Sequence, residues 1–150
     1  MHKLNKWWFI ALVWCIAIAV ATRQPSLTGQ STESFFQFIV FIDPEIVNYF
    51  FRKGVHITSF GLLAIFFFMA LDSLRRRKYR YYLAWGLATI YGALDEYHQA
   101  FLPERTASLF DVLINSLGAC LALMIFHLFY VSLIEKRRRM LHWRKLEEKK

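Results

Sequence analysis

Nine side chains carry most of the chemical capacity of this 150-residue chain, and they fall in three short stretches. Lys53 and His56 form the first, Asp95, Glu96 and Gln99 the second, and Arg105, Ser108, Asp111 and Asn115 the third. Each stretch lies in or beside an apolar run, where a lone ionised group costs several kcal/mol and must find a partner or a wet cavity. Asp95 and Gln99 share a helical face at i and i+4, while Glu96 is turned by about 100° and is expected to reach Gln99 at i+3. Asp111 and Asn115 share a face in the same way. Lys53, His56 and Arg105 are the expected partners of Asp95 and Glu96. Ser108-Leu109-Phe110-Asp111 has capping-box spacing with Asp in the usual place of Glu, so Ser108 and Asp111 also read as the start of a helix.

Three kinds of chemistry fit these types. In the first, a pocket binds an anionic headgroup: Lys53 and Arg105 contact phosphate, Arg105 as a bidentate fork, while Gln99, Ser108 and Asn115 donate or accept hydrogen bonds. Asp95, Glu96 and Asp111 then orient the cations. In the second, the chain is a hydrolase or headgroup transferase, with His56 as general base oriented by Asp95 or Glu96 and Arg105 facing developing negative charge. A nucleophile is less evident, because Ser108 is more cheaply explained as a cap and Thr58 and Ser59 as packing hydroxyls. In the third, the cluster is a hydrogen-bonded clasp of a membrane scaffold, with Gly86, Gly92, Gly118 and Ala119 serving close helix contacts. Asp95-Glu96-x-x-Gln99 copies the spacing of HExxH, but Gln is a poor zinc ligand and Glu96 and His98 point apart, so no metal is expected. No other cofactor is expected.

The elements that position these groups follow from composition. The chain is 57% hydrophobic and 18% aromatic with only 20% charged residues, yet carries a net charge of +8, a combination foreign to a soluble domain. A mean hydropathy of +0.31 excludes a disordered or simple nucleic-acid-binding chain. Apolar runs predict transmembrane helices over about 7–22, 54–72, 81–102 and 112–134. Trp7 to Thr22 is short and also imitates a cleavable signal through Ala19-Val20-Ala21, but an uncleaved helix is the preferred reading. Phe35 to Ile42 is too short to span and reads as an interfacial or re-entrant segment between the first two helices. Asp43-Pro44-Glu45 has the chemistry of a helix start, and this second helix is expected to run to Ser73. The tail, 135–150, is basic and reads as a surface helix or solvated end. The fold class is therefore all-α, a four-helix integral membrane bundle in a single unit. Cys15 and Cys120 sit in apolar runs and form no disulfide framework.

Sorting the charges orients the bundle. Lys3, Lys6, the five cations of Arg75–Arg80 and the eight of the tail place 15 of 19 basic residues on one side, giving about plus eleven there and minus three opposite. The positive side is expected to be cytoplasmic, with both termini on it. Helix rise then puts His56, Asp95 and Asn115 roughly 20–28 Å from that side, in the outer leaflet. Nucleic acid is not an expected partner of the basic tail, since anionic lipid competes for the same charges. Membrane lipids are expected partners, and association with further copies of the chain stays open.

The residues Arg52-Lys53-Gly54-Val55-His56, Asp95-Glu96-Tyr97-His98-Gln99-Ala100-Phe101, Pro103-Glu104-Arg105, and Ser108 through Asp111 to Asn115 and Gly118 resemble the VanZ-like family of small bacterial membrane proteins. The resemblance covers about Arg52 to Leu123 and suits the four-span arrangement. Thr58-Ser59 and Glu104 depart from the family pattern. The resemblance implies a bacterial cell-membrane protein and a link to glycopeptide resistance, specifically to teicoplanin. A polyprenyl-linked cell-wall precursor or a phospholipid is the ligand this would suggest, and enzymatic turnover stays open.

Overall fold

The structure, a computed structural model, describes residues 5–23, 43–101 and 108–147. Four helices account for nearly all of them: α1 (Lys6–Arg23), α2 (Pro44–Ala70), α3 (Arg77–Gln99) and α4 (Leu109–Glu147). The segment expected to be interfacial, 35–42, lies outside the described residues, as do Arg105 and the start and end of the chain.

The starts of α2 and α4 follow from their sequences. Pro44 stands at the first helical position of α2, where its missing N–H costs nothing, and the Asp43 carbonyl accepts from Ile46 and Val47. The Ser108 hydroxyl accepts from the Phe110 amide at 3.2 Å and so caps α4 as expected. Four boundaries differ from expectation. α2 stops at Ala70 rather than Ser73, and a tight turn leads into α3, which starts one turn early at Arg77. α3 ends at Gln99, short of Pro103. α4 does not break after residue 134 but continues to Glu147, because Ile134–Leu146 holds good helix formers and neither Gly nor Pro.

Ile46–Ala70 and Leu109–Ser132 are each long and apolar enough to cross a membrane. The first of these reaches two turns farther back than the span expected over 54–72, since Arg52 and Lys53 interrupt an otherwise apolar stretch only briefly. Lys6–Thr22 is apolar but shorter. α3 has the length, at 23 residues, but its tyrosines, basic start and terminal carboxyls dilute it.

Contacts fix the running directions. Asn5 Nδ2 donates to Met69 O at 3.2 Å, so the start of α1 meets the end of α2. Thr22 Oγ1 donates to Asp95 Oδ1 at 3.1 Å, so the ends of α1 and α3 meet. The order is up, down, up, down, with α2 and α4 parallel and in the most extensive contact. The described turn at 71–76 therefore lies at the same end as the start of α1, and the polar stretches gather at the other, distal end.

The core is built on small residues. Ala64, Ala84, Ala88 and Ala119 surround Phe68 in one cluster, while Ala11, Ile18 and Leu63 surround Phe60 in another. A Cβ at Gly118 would stand 2.6 Å from Ile57 O, and one at Gly61 would stand 2.9 Å from Ala122 Cβ. α2 and α4 thus touch backbone to backbone, which only Gly permits. Gly86, expected to serve the same purpose, faces open space.

Candidate functional site

All eight of the described candidate residues come together toward the distal end, from the helix termini to about three turns inside them. Lys53 and His56 lie at i and i+3 on one face of α2, Asp111 and Asn115 at i and i+4 on α4, and the close Ile57–Gly118 contact brings the two faces together. Lys53 pairs with Asp111, the two side chains 19% and 17% exposed. One turn deeper, His56 Nδ1 lies 3.2 Å from Asn115 Oδ1. As the amide stands, Oδ1 can only accept, so Nδ1 carries the proton and Nε2 of a neutral imidazole is a base. The His56 ring also stacks on Phe60, four residues along, at 6.3 Å and 14°.

α3 contributes the acids. Gln99 Nε2 donates to Asp95 Oδ2 at 2.9 Å, the i, i+4 contact that the spacing predicts. The other Asp95 oxygen accepts from Thr22 of α1. Glu96 does not reach Gln99; its Oε2 accepts from the backbone N–H of Ser108 at 3.2 Å, tying the end of α3 to the start of α4. The expected capping box is thereby divided between helices. Ser108 caps α4 with its hydroxyl, but its amide is satisfied by Glu96, and the Asp111 carboxylate turns to Lys53. Asp95, Glu96, Gln99 and Asn115 are all at most 5% exposed. Lys53, Asp95 and Asp111 lie within electrostatic range of both His56 and Glu96, so the pairs form one cluster.

Partner choice differs from the sequence expectation in two respects. The nearest described partners of Asp95 and Glu96 are Thr22, Gln99 and the Ser108 amide rather than Lys53 or His56. His56 is oriented by Asn115 rather than by Asp95 or Glu96. Arg105 falls outside the described residues.

Two participants were not singled out as site residues. Thr22 ends the first apolar run, a position that gives a hydroxyl access to a polar layer. Gly92 lies one turn below Asp95, and a Cβ there would meet both Asn115 Cβ and Phe60 at 3.3 Å. Its missing side chain is the space that Asn115 occupies.

The cluster uses most, but not all, of its hydrogen-bonding capacity. Glu96 Oε1 and Asn115 Nδ2 are buried with no hydrogen-bond partner among the described residues. An orphaned buried polar atom costs about 1–3 kcal/mol. One is an acceptor and the other a donor. Three carboxyls also face a single lysine among the described residues, so the site favours positive charge or hydrogen-bond donors near Glu96.

Outside this cluster polar side chains within the helices find local partners. His127 Nδ1 lies 3.0 Å from the Tyr81 hydroxyl, and Thr58 Oγ1 donates to Gly54 O within its own helix.

A family model described as VanZ/LLP1 matches residues 7–130. An uncharacterized protein of Schizosaccharomyces pombe, C11E3.10, is 37% identical over 87 residues, which is 57% of this chain and 52% of that protein. The chain thus spans about half the length of this curated relative. No solved structure matches it.

Proposed function

The chain belongs to the VanZ/LLP1 family, and from this membership we propose that it is a multi-pass membrane protein whose distal polar cluster binds a phosphate-bearing lipid headgroup, from a phospholipid or a polyprenyl-linked precursor. One observation carries the reading. Buried groups with unused hydrogen-bonding capacity, Glu96 Oε1 and Asn115 Nδ2, belong to a cluster that also holds a partly accessible Lys53–Asp111 pair. A purely structural clasp would spend that capacity within the protein.

In this reading Lys53 and Arg105 meet the phosphate, and Asp111 holds Lys53 in place. Gln99, Ser108 and Asn115 bond the headgroup oxygens. Glu96 Oε1 accepts from a hydroxyl or amine on the same headgroup, which offsets the surplus of carboxyls. In this reading the start of α1, the end of α4 and the basic stretch Arg75–Arg80 face the cytoplasm, so the site opens to the outer leaflet. A bacterial cell-envelope role, including an effect on teicoplanin sensitivity, fits a pocket on that surface.

The test is headgroup photocrosslinking to the full chain in membranes, comparing wild type with Lys53→Gln and Arg105→Gln. Crosslinks at residues 95–115 that fall several-fold in both variants support the reading. Unchanged crosslinking and unchanged teicoplanin sensitivity overturn it.

The His56 geometry favours a second reading, an intramembrane hydrolase or transferase. Asn115 holds Nδ1 and leaves Nε2 as a base. Lipid turnover by wild type that is lost in His56→Gln, with lipid binding retained, is its expected signature.

A further inference from the structure

A groove lies toward the opposite, basic end of the molecule, apart from the distal cluster. α3 and α4 part there to leave a groove of about 490 Å³ lined by Tyr81, Tyr82 and Trp85 on one wall and by Cys120, Met124 and Leu128, among others, on the facing wall. Tyr81 and Trp85 spend their polar groups within the protein. Tyr81 bonds His127, and Trp85 Nε1 donates to Ser116 O and Oγ at 3.2 and 3.1 Å. The walls therefore offer mainly hydrocarbon contact.

The rim is different in character. Arg77 and Lys78 lie one helical turn below Tyr81 and Tyr82, on the same faces of α3. The Arg77 guanidinium covers the Tyr130 ring of α4 at 3.9 Å, which sets positive charge about one turn beyond His127. Arg75, Arg76 and Lys78 are exposed and make no ion pair among the described residues. Arg80, in contrast, is occupied, stacked over Phe68 and donating to Phe68 O at 3.1 Å. Apolar walls under a cationic rim are complementary to one occupant, an acyl chain whose headgroup carries net negative charge.

We infer that the α3–α4 groove is a binding site for an anionic phospholipid, one acyl chain lying between Tyr82, Trp85, Met124 and Leu128 and the phosphate held by Lys78 with Arg75 or Arg76. This site recruits lipid from the leaflet at the basic end, whereas the distal cluster takes a headgroup at the other surface. A zwitterionic lipid fills the same walls but gains less from the rim. A second copy of the chain fills them without needing the cations.

The experiment uses the full chain in nanodiscs with acyl-diazirine probes of phosphatidylglycerol and phosphatidylcholine, and the crosslinked peptides are mapped by mass spectrometry. Phosphatidylglycerol is expected to label 77–85 and 120–128 several-fold more than phosphatidylcholine. The triple variant Arg75→Gln, Arg76→Gln, Lys78→Gln is expected to abolish that preference while leaving labelling of the walls. Cys120→Trp, which fills the groove from one wall, is expected to lower labelling by both probes. Unchanged helix content and unchanged crosslinking at the distal cluster serve as folding controls. Equal labelling by the two headgroups in wild type overturns the inference, as does labelling indifferent to Cys120→Trp. Oxidative Cys120 crosslinks between two copies overturn it in favour of a self-association surface.

Discussion

Gly118→Ala should weaken the bundle although alanine is the better helix former. A Cβ at position 118 would stand 2.6 Å from Ile57 O, 2.7 Å from Ile57 Cα and 3.0 Å from Ile57 C. Ordinary contact begins near 3.4 Å, and all three atoms belong to the main chain of α2, so no side-chain rotation relieves the clash. The helices must separate by roughly 0.8 Å, which loosens contacts along their length. Overpacking of this kind costs about 1–3 kcal/mol, and replacing a helical glycine by alanine returns about 1 kcal/mol, so the net loss is up to ~2 kcal/mol. Gly86→Ala is the matched control, because a Cβ at position 86 meets nothing within 4 Å and should gain the propensity contribution alone. The gain is common to both variants, so the difference between them isolates the steric cost, about 1–3 kcal/mol. Unfolding of the full chain in detergent, followed by circular dichroism, measures that difference. The same separation draws Lys53 from Asp111 and His56 from Asn115, so headgroup crosslinking should fall in Gly118→Ala and not in Gly86→Ala. A Gly118→Ala protein as stable as Gly86→Ala would refute the close-approach argument.

Three further outcomes test the polar cluster. Thr22→Val removes the hydroxyl bonded to Asp95 while nearly keeping its shape, and should cost about 1 kcal/mol in unfolding; that cost should shrink in an Asp95→Leu background, where the hydroxyl keeps only the Ala19 carbonyl as acceptor. Lys53→Gln should destabilise more than the double change Lys53→Gln with Asp111→Asn, since the single change strands a half-buried carboxylate; the unfolding cycle should give a coupling of about 0.5–3 kcal/mol. Glu96→Gln keeps an acceptor for the Ser108 amide and should be mild, whereas Glu96→Ala should cost about 1–3 kcal/mol and speed hydrogen exchange at Ser108, read by mass spectrometry.

Much of the cluster is legible in the sequence, for reasons internal to each helix. Helical periodicity alone puts Gln99 over Asp95, and a hydroxyl before an apolar run alone makes Ser108 a cap; both contacts form. The cost of burying charge alone gathers the ionisable groups to one level. Pairing across helices was not legible in this way. The spacing allows Glu96 to turn to Gln99, but the approach of α4 presents the Ser108 amide, whose need for an acceptor takes Glu96 out of its own helix. Gly86 and Gly118 look alike in a sequence, yet only Gly118 sits where two backbones meet.

Composition, apolar run length and charge asymmetry by themselves determined that this is an all-α membrane chain with its chemistry gathered at the end away from the basic flanks. They could do so because burial of apolar surface and exclusion of lone charges act on each segment separately. Which acid meets which base was decided only by the tertiary structure. The rotation and register of α2 against α4 come from the contact of Gly61 and Gly118 with Ala122 and Ile57, a property of two helices together. That contact assigns Lys53 to Asp111 and His56 to Asn115, and it leaves Asp95 to Thr22 and Gln99.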